Sequence, residues 1–286
     1  PTNASAQLGE RIFLAVEHFI YSYQPANQSL QKLFSLTQVL PQFAYYKIEN
    51  LLLDQNNMLW LGPESHGAYL WNPDSLKYKS LFTMTKNPQL QLSNNSVWDM
   101  WEDNKEDLWL ATDNGLNHIN RKAATISHYL TDDSPGLNKK SSRILFIHEK
   151  DNYLWLASAD GLIRFNKNNA NVKHFRPPEL KPDAEFFIYA ITETPDGKLW
   201  LATGKGAISF DPETATFRAD REITDTHNPH ESTLIRYQNG LIWIGYSDRL
   251  IAYDYQRKLI VTKVKFNHLK QQTHFTFVSL LFKNNL

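Results

Sequence analysis

Residues 108–112 read Leu-Trp-Leu-Ala-Thr, and the polar turn Asp113-Asn114-Gly115 follows them directly. A tryptophan between two leucines or isoleucines marks this phrase, which we call the Trp phrase. The Trp phrase occurs five times, with its tryptophan at Trp60, Trp109, Trp155, Trp200 and Trp243. Successive tryptophans are 49, 46, 45 and 43 residues apart. Repeats of this length are typical of β-propeller blades.

Four strand candidates surround Trp109. An alternating run over 96–102 ends at the polar turn 103–107, and the Trp phrase forms a second, apolar strand. The Asp-Asn-Gly turn allows the chain to reverse, because these residue types tolerate positive φ. Residues 116–120 and 126–130 then supply a third and an outer fourth strand. Four strands per repeat are what a propeller blade requires.

A sixth copy of the repeat begins near the amino terminus. Arg11–Ala15 resembles the Trp phrase with Phe13 in place of tryptophan, and His18–Tyr23 resembles the third strand. No first strand is evident before residue 11, whereas Phe277–Phe282 near the carboxyl terminus resembles one. We therefore predict that Phe277–Phe282 pairs with Ile12–Ala15 and closes a ring of six blades. The alternative is a ring of seven blades or a longer propeller array.

The repeat favours one all-β domain over residues 1–286, because no linker rich in glycine, serine or proline lies between its copies. Thirty basic and thirty acidic residues cancel, so no net charge attracts nucleic acid. The chain has no cysteine, which excludes disulfides, thiolate metal ligands and cysteine nucleophiles. No apolar run approaches the roughly 20 residues that span a bilayer. A membrane association would therefore depend on segments outside this chain.

Ten histidines are the obvious candidates for metal binding or acid–base chemistry. His227 and His230 lie three residues apart, but Pro229 and the turn-forming residues around them favour a solvated loop. No loop carries the number of oxygen ligands that calcium needs. We predict no metal site, no cofactor and no catalytic set, and hence a domain that is not itself an enzyme.

The array resembles the two-component regulator propeller repeat. The resemblance rests on residues 97–116 and on the second copy Leu154–Leu162, and it covers nearly the whole chain. It implies a periplasmic sensor domain of a membrane-bound hybrid histidine kinase or diguanylate cyclase, and a homodimer in the full-length protein. Residues 191–200 also resemble a repeat of the streptogramin lyase propellers. A lyase-like enzyme and a protein-interaction scaffold are therefore the alternative functions.

Propellers bind ligands where the loops that link successive blades converge. Six aromatic or arginine residues lie in the first strands after those loops, and we predict that they contact a ligand: Tyr45, Trp98, Arg143, Phe187, Tyr189 and Arg236. Arginine pairs with carboxylate or sulfate, and an aromatic face stacks on a sugar ring. The predicted partner is a small polar or anionic molecule, with carbohydrate as a candidate.

Overall fold

The computed structural model describes residues 4–39, 46–75, 77–82, 91–134, 140–181, 184–220, 223, 232–246 and 248–265. These residues form six four-stranded antiparallel sheets, each built from four consecutive strands. Helix is confined to the 3-10 turn Pro25–Asn27 and the single turn α1, Leu36–Val39, in this part of the chain. The prediction of an all-β propeller with six four-stranded blades is confirmed.

The described residues fall into two compact units of three blades each. Blades 1 to 3 make up the amino-terminal unit. Blade 1 contains β1 (Ala4–Leu8), β2 (Arg11–Val16), β3 (Phe19–Gln24) and β4 (Ser29–Ser35). Blade 2 contains β5 (Ile48–Leu53), β6 (Leu59–Pro63), β7 (Ala68–Asn72) and β8 (Lys77–Phe82). Blade 3 contains β9 (Val97–Glu102), β10 (Leu108–Thr112), β11 (Gly115–Asn120) and β12 (Thr125–Tyr129).

Blades 4 to 6 make up the carboxy-terminal unit. Blade 4 contains β13 (Ile144–Lys150), β14 (Tyr153–Ser158), β15 (Gly161–Asn166) and β16 (Val172–Phe175). Blade 5 contains β17 (Ile188–Glu193), β18 (Leu199–Thr203), β19 (Gly206–Asp211) and β20 (Thr216–Ala219). Blade 6 contains β21 (Ser232–Gln238), β22 (Leu241–Tyr246), β23 (Arg249–Asp254) and β24 (Leu259–Lys265).

Blade 1 takes its inner strand from the amino terminus. Strand β1 pairs with one edge of β2, with Ala6 opposite Phe13, and β3 pairs with the other edge. The predicted pairing of Phe277–Phe282 with Ile12–Ala15 is therefore wrong, because neither edge of β2 is open. Residues 277–282 themselves lie outside the described residues. The count of six blades stands, since blade 1 draws all four strands from its own repeat.

The Trp phrase forms the second strand of its blade and fills the space between neighbouring blades. Trp60 lies in one buried cluster with Val97 and Met100 of blade 3. Trp155 likewise packs with residues of blade 5, and Trp200 with residues of blade 6. Blades 2, 4 and 5 thus each present a large flat apolar group to the following blade of the same unit, which is consistent with the even spacing of tryptophan in the sequence.

A buried aspartate holds the indole in blades 2 and 3. Asp54 lies six residues before Trp60, and its two carboxylate oxygens accept hydrogen bonds from turn amides and from Trp60 Nε1, at 3.0 Å. Asp103 makes the same contacts with its turn and with Trp109 Nε1, also at 3.0 Å. The polar turn before the Trp phrase is therefore part of the core.

Candidate functional site

In blades 2 to 5, the residue that precedes the inner strand is fixed by one recurring backbone hydrogen bond. Its carbonyl oxygen accepts the amide that follows the second strand of the blade. We call it the lead residue. The four lead residues with this bond are Lys47, Ser96, Arg143 and Phe187, with N···O distances of 2.9, 3.2, 3.1 and 3.4 Å. Arg143 and Phe187 therefore occupy equivalent places in the adjacent blades 4 and 5.

The second residue of the inner strand is bulged out of the ladder in blades 2 to 6. In blade 5, for example, Ile188 pairs with Thr203 and Ala190 with Ala202, so Tyr189 has no opposite residue. The five bulged residues are Glu49, Trp98, Leu145, Tyr189 and Thr233. A β-bulge turns its side chain away from the regular pleat, and bulges are frequent beside functional sites. Two predicted contacts, Trp98 and Tyr189, hold this position.

Arg143, Phe187 and Tyr189 lie at the same end of two adjacent inner strands. Strands β13 and β17 contact each other, so the lead residues of blades 4 and 5 are at one level. The rings of Phe187 and Tyr189 stack with centroids 5.9 Å apart and an interplanar angle of 16°. All three side chains are half-buried. The rings of Phe187 and Tyr189 are thus in contact, and Arg143 precedes the inner strand of the adjacent blade; we call these three residues the blade 4–5 rim.

Buried Asp160 organises the backbone beneath this rim. Ser141 Oγ donates to Asp160 Oδ2 at 3.0 Å, and the Arg176 guanidinium binds Asp160 Oδ1. Arg176 Nη2 also donates to the carbonyl oxygen of Ala184 at 2.6 Å, and Asp160 forms a parallel bridge with Phe186. Asp160 thus connects the segment just before Arg143, through Ser141, with Phe186, the residue before Phe187.

Trp98 is held by a contact within its own blade. Its indole Nε1 donates to Asp113 Oδ1 at 2.7 Å, and the side chain is half-buried. Asp113 belongs to the turn that follows the Trp phrase of blade 3. That hydrogen bond fixes the plane of the indole, which is the requirement for a stacking surface.

The remaining two predicted contacts are placed differently. Arg236 lies in the middle of β21, directly opposite Trp243, and not at the strand's leading end. It is therefore three residues beyond the bulged Thr233, a distance of about 10 Å along a strand. The Arg236 side chain is exposed, although neighbouring protein atoms lower the pKa of its guanidinium by desolvation. Tyr45 lies outside the described residues.

Glu49 and Lys47 hold equivalent positions in blade 2 that the sequence reasoning missed. Glu49 is the bulged residue of β5 and is open to solvent. Partial desolvation raises the pKa of Glu49, the Glu64 carboxylate raises it further, and Lys47 lowers it. Glu49 precedes Trp60 by 11 residues, as Trp98 precedes Trp109 and Tyr189 precedes Trp200. The spacing of 11 residues before the tryptophan is the sequence signal that identifies Glu49.

Within the described residues, no group of three or more histidine, aspartate or glutamate side chains is arranged to hold a metal ion. His227 and His230, which the sequence predicts to lie in a loop, are outside the described residues. The helices of the described chain are all too short and too polar to cross a bilayer.

No protein-family model and no curated protein matches the chain. Among solved structures, it is similar to the extracellular domain of a putative hybrid two-component system from B. thetaiotaomicron. The TM-score is 0.73 at 17% identity, and the match covers 94% of this chain and 35% of that domain. The chain thus spans little more than a third of that domain.

Two other propellers are similar over most of the chain. The WD40 β-propeller domain of Doa1 has a TM-score of 0.62 at 14% identity, covering 88% of this chain and 77% of that one. A catalytically inactive virginiamycin B lyase from Staphylococcus aureus, solved with quinupristin, has a TM-score of 0.58 at 14% identity, covering 77% and 70%. At these identities the likeness establishes the β-propeller fold alone.

Proposed function

We propose that the chain is a ligand-sensing domain of a bacterial signal-transduction protein and acts in the periplasm. The stacked rings of Phe187 and Tyr189, with Arg143 in the equivalent place of the adjacent blade, are the observation that supports this proposal. The likeness to the extracellular domain of a two-component system supports the same assignment through the fold. The resemblance of the repeats to the two-component regulator propeller adds to it.

The ligand is a small polar or anionic molecule bound at the blade 4–5 rim. A guanidinium binds carboxylate or sulfate through two parallel hydrogen bonds, and two stacked rings present an apolar edge to a sugar or another ring. Asp160, the buried acid next to the rim, already binds Ser141 and Arg176. We therefore expect the rim to bind its ligand through the guanidinium and the two rings.

A thermal-shift screen of carboxylates, sulfated sugars, neutral sugars and short peptides identifies the ligand class. Calorimetry then compares the wild type with Arg143→Ala and Tyr189→Ala. Each change removes one of the two recognition elements, so each should weaken binding about tenfold or more. Arg218→Ala is the matched control, because Arg218 is an exposed cation on the outer strand β20.

The same assay tests Arg236→Ala and Trp98→Ala as additional contacts. Unchanged affinity in both Arg143→Ala and Tyr189→Ala would reject the blade 4–5 rim. Chemical turnover of a bound compound would favour the lyase-like alternative. A protein partner without any small ligand would favour the scaffold.

A further inference from the structure

Strand β24 forms the outer edge of blade 6 among the described residues, and it is long for its unit. It has seven residues, whereas the other outer strands of the same unit, β16 and β20, have four each. Six of its seven residues are exposed. Leu259, Val261 and Val264 are 43%, 51% and 45% exposed, although they are large apolar residues. Outer strands are usually shortened because an open edge invites pairing with another strand.

The two faces of β24 differ in chemistry. Lys263 and Lys265 lie on one face, opposite Ile251 and Arg249 of β23. Leu259, Thr262 and Val264 lie on the other face, opposite Asp254, Ala252 and Leu250. A strand that added to this edge would therefore meet cations on one face and apolar groups on the other.

Positive charge is concentrated on this hairpin. Residues 249–265 contain five basic residues and one acidic residue, whereas the whole chain has no net charge. The single acid, Asp254, is mostly buried and pairs with Arg257 at 3.7 Å. The surplus charge on the edge is thus not neutralised by acidic residues of the same hairpin.

We propose that β24 is a docking edge for an extended segment of another protein in which acidic and apolar residues alternate. Main-chain hydrogen bonds would add the segment as a fifth strand of blade 6. Its acidic side chains would lie across from Lys263 and Lys265, where opposite charges stabilise a cross-strand pair. Its apolar side chains would cover Leu259 and Val264.

A second copy of this chain fits the edge poorly. Antiparallel pairing of β24 with itself places lysines opposite lysines or opposite apolar residues, depending on the register. Like charges directly opposite each other destabilise a strand pair. The charge pattern therefore selects an acidic partner over self-association.

The test uses the full chain and a labelled octapeptide that alternates glutamate and valine, followed by fluorescence anisotropy. The double variant Lys263→Glu/Lys265→Glu reverses the charge of one face. It should weaken binding at least about tenfold, since two cross-strand ion pairs are replaced by repulsion. A peptide that alternates lysine and valine should bind this double variant and not the wild type. Amide exchange of the wild type should slow in β24 when the acidic peptide is bound.

The matched control is Lys173→Glu/Arg218→Glu, which reverses exposed charges on the short outer strands β16 and β20. It should bind the acidic peptide as the wild type does. Absence of wild-type binding, or equal affinity in both double variants, would overturn the proposal. Self-association that the Lys263→Glu/Lys265→Glu change abolishes would also overturn it, because the occupant would then be a second copy. Ligand binding at the blade 4–5 rim is measured separately and is independent of this result.

Discussion

Gly161 shows how closely the turn after the Trp phrase constrains single residues. Its φ is +122°, and a Cβ atom built on it would lie 2.6 Å from the carbonyl oxygen of Phe175. Alanine at this position is therefore both conformationally strained and in steric conflict with backbone. Gly115 occupies the same turn in blade 3 and is equally crowded.

Gly161→Ala should lower the free energy of unfolding by about 2 kcal/mol or more, as strained backbone positions do. Gly204→Ala is the matched control, because a Cβ atom there meets nothing within 4 Å. Urea unfolding measures both variants. Equal midpoints for the two would show that the close approach at Gly161 is not needed for stability.

In blade 5, Thr194 stands where blades 2 and 3 have Asp54 and Asp103. The backbone hydrogen bond of the turn is the same in all three blades. The Thr194 amide donates to Lys198 at 3.0 Å, as Asp54 does to Met58 and Asp103 to Asp107 at 2.9 Å. Trp200 Nε1 is buried and has no hydrogen-bond partner among the described residues. A buried donor without a partner destabilises the folded state by about 1–3 kcal/mol.

Thr194→Asp should therefore stabilise the protein by about 1 kcal/mol, by giving Trp200 Nε1 the acceptor that Trp60 and Trp109 have. The reciprocal change Asp103→Thr should destabilise it by a similar amount or more. Thermal melting of both variants at neutral pH is the measurement. A lower melting temperature for Thr194→Asp would mean that repulsion from Asp196 outweighs the new hydrogen bond.

At the scale of the strand, periodicity and turn residues predicted most elements. The strands expected at 96–102, 108–112, 116–120 and 126–130 are found at Val97–Glu102, Leu108–Thr112, Gly115–Asn120 and Thr125–Tyr129. Phe13 does replace tryptophan in blade 1, where it is fully buried. These features were predictable because each depends on local spacing and on burial of one face.

Strand β1 and the bulges were not predictable in the same way. Ala4 and Ala6 are too small to give an apolar pattern, yet Ala6 suffices because it lies opposite the large Phe13. The bulge at Tyr189 depends on pairing with β18, which no single strand reveals. For the candidate site, residue type alone suggested Arg143, Phe187, Tyr189 and Arg236. Only the pairing of Arg236 with Trp243 shows that Arg236 lies in the middle of its strand and not at the leading end.

The pairing of β1 with β2 in blade 1 can be tested by mutation. Ala6→Pro removes a ladder donor and introduces a ring beside Phe13, so it should destabilise the protein by about 3 kcal/mol or more and expose the amides of β2. Hydrogen exchange of β2 is the readout. Unchanged protection of β2 in Ala6→Pro would show that β1 is not needed to hold β2.

At the scale of the whole molecule, blades within each unit are joined by charge as well as by the Trp phrases. In the carboxy-terminal unit, the Glu193 carboxylate of blade 5 binds Lys150 Nζ at 2.6 Å and His148 Nε2 at 3.3 Å, both from blade 4. In the amino-terminal unit, Arg121 of blade 3 binds Asp54 of blade 2 at 2.8 Å. The contacts of Glu193 link the inner strands of blades 4 and 5, whereas the Arg121–Asp54 pair links a turn of blade 3 to a turn of blade 2.

His148 makes the first of these links sensitive to pH. Burial lowers the pKa of His148 below its ordinary value near 6.5, and Lys150 lowers it further, while Glu193 and Glu149 raise it in part. The unfolded chain therefore binds more protons than the folded one between the folded pKa and about 6.5. The free energy of unfolding should fall as pH decreases through this window and stay constant above it. Urea unfolding at intervals between pH 8 and 5 measures the slope. In His148→Gln, which keeps a polar group beside Glu193 but does not titrate, that part of the slope should disappear. A variant slope equal to that of the wild type would show that other groups cause the acid sensitivity.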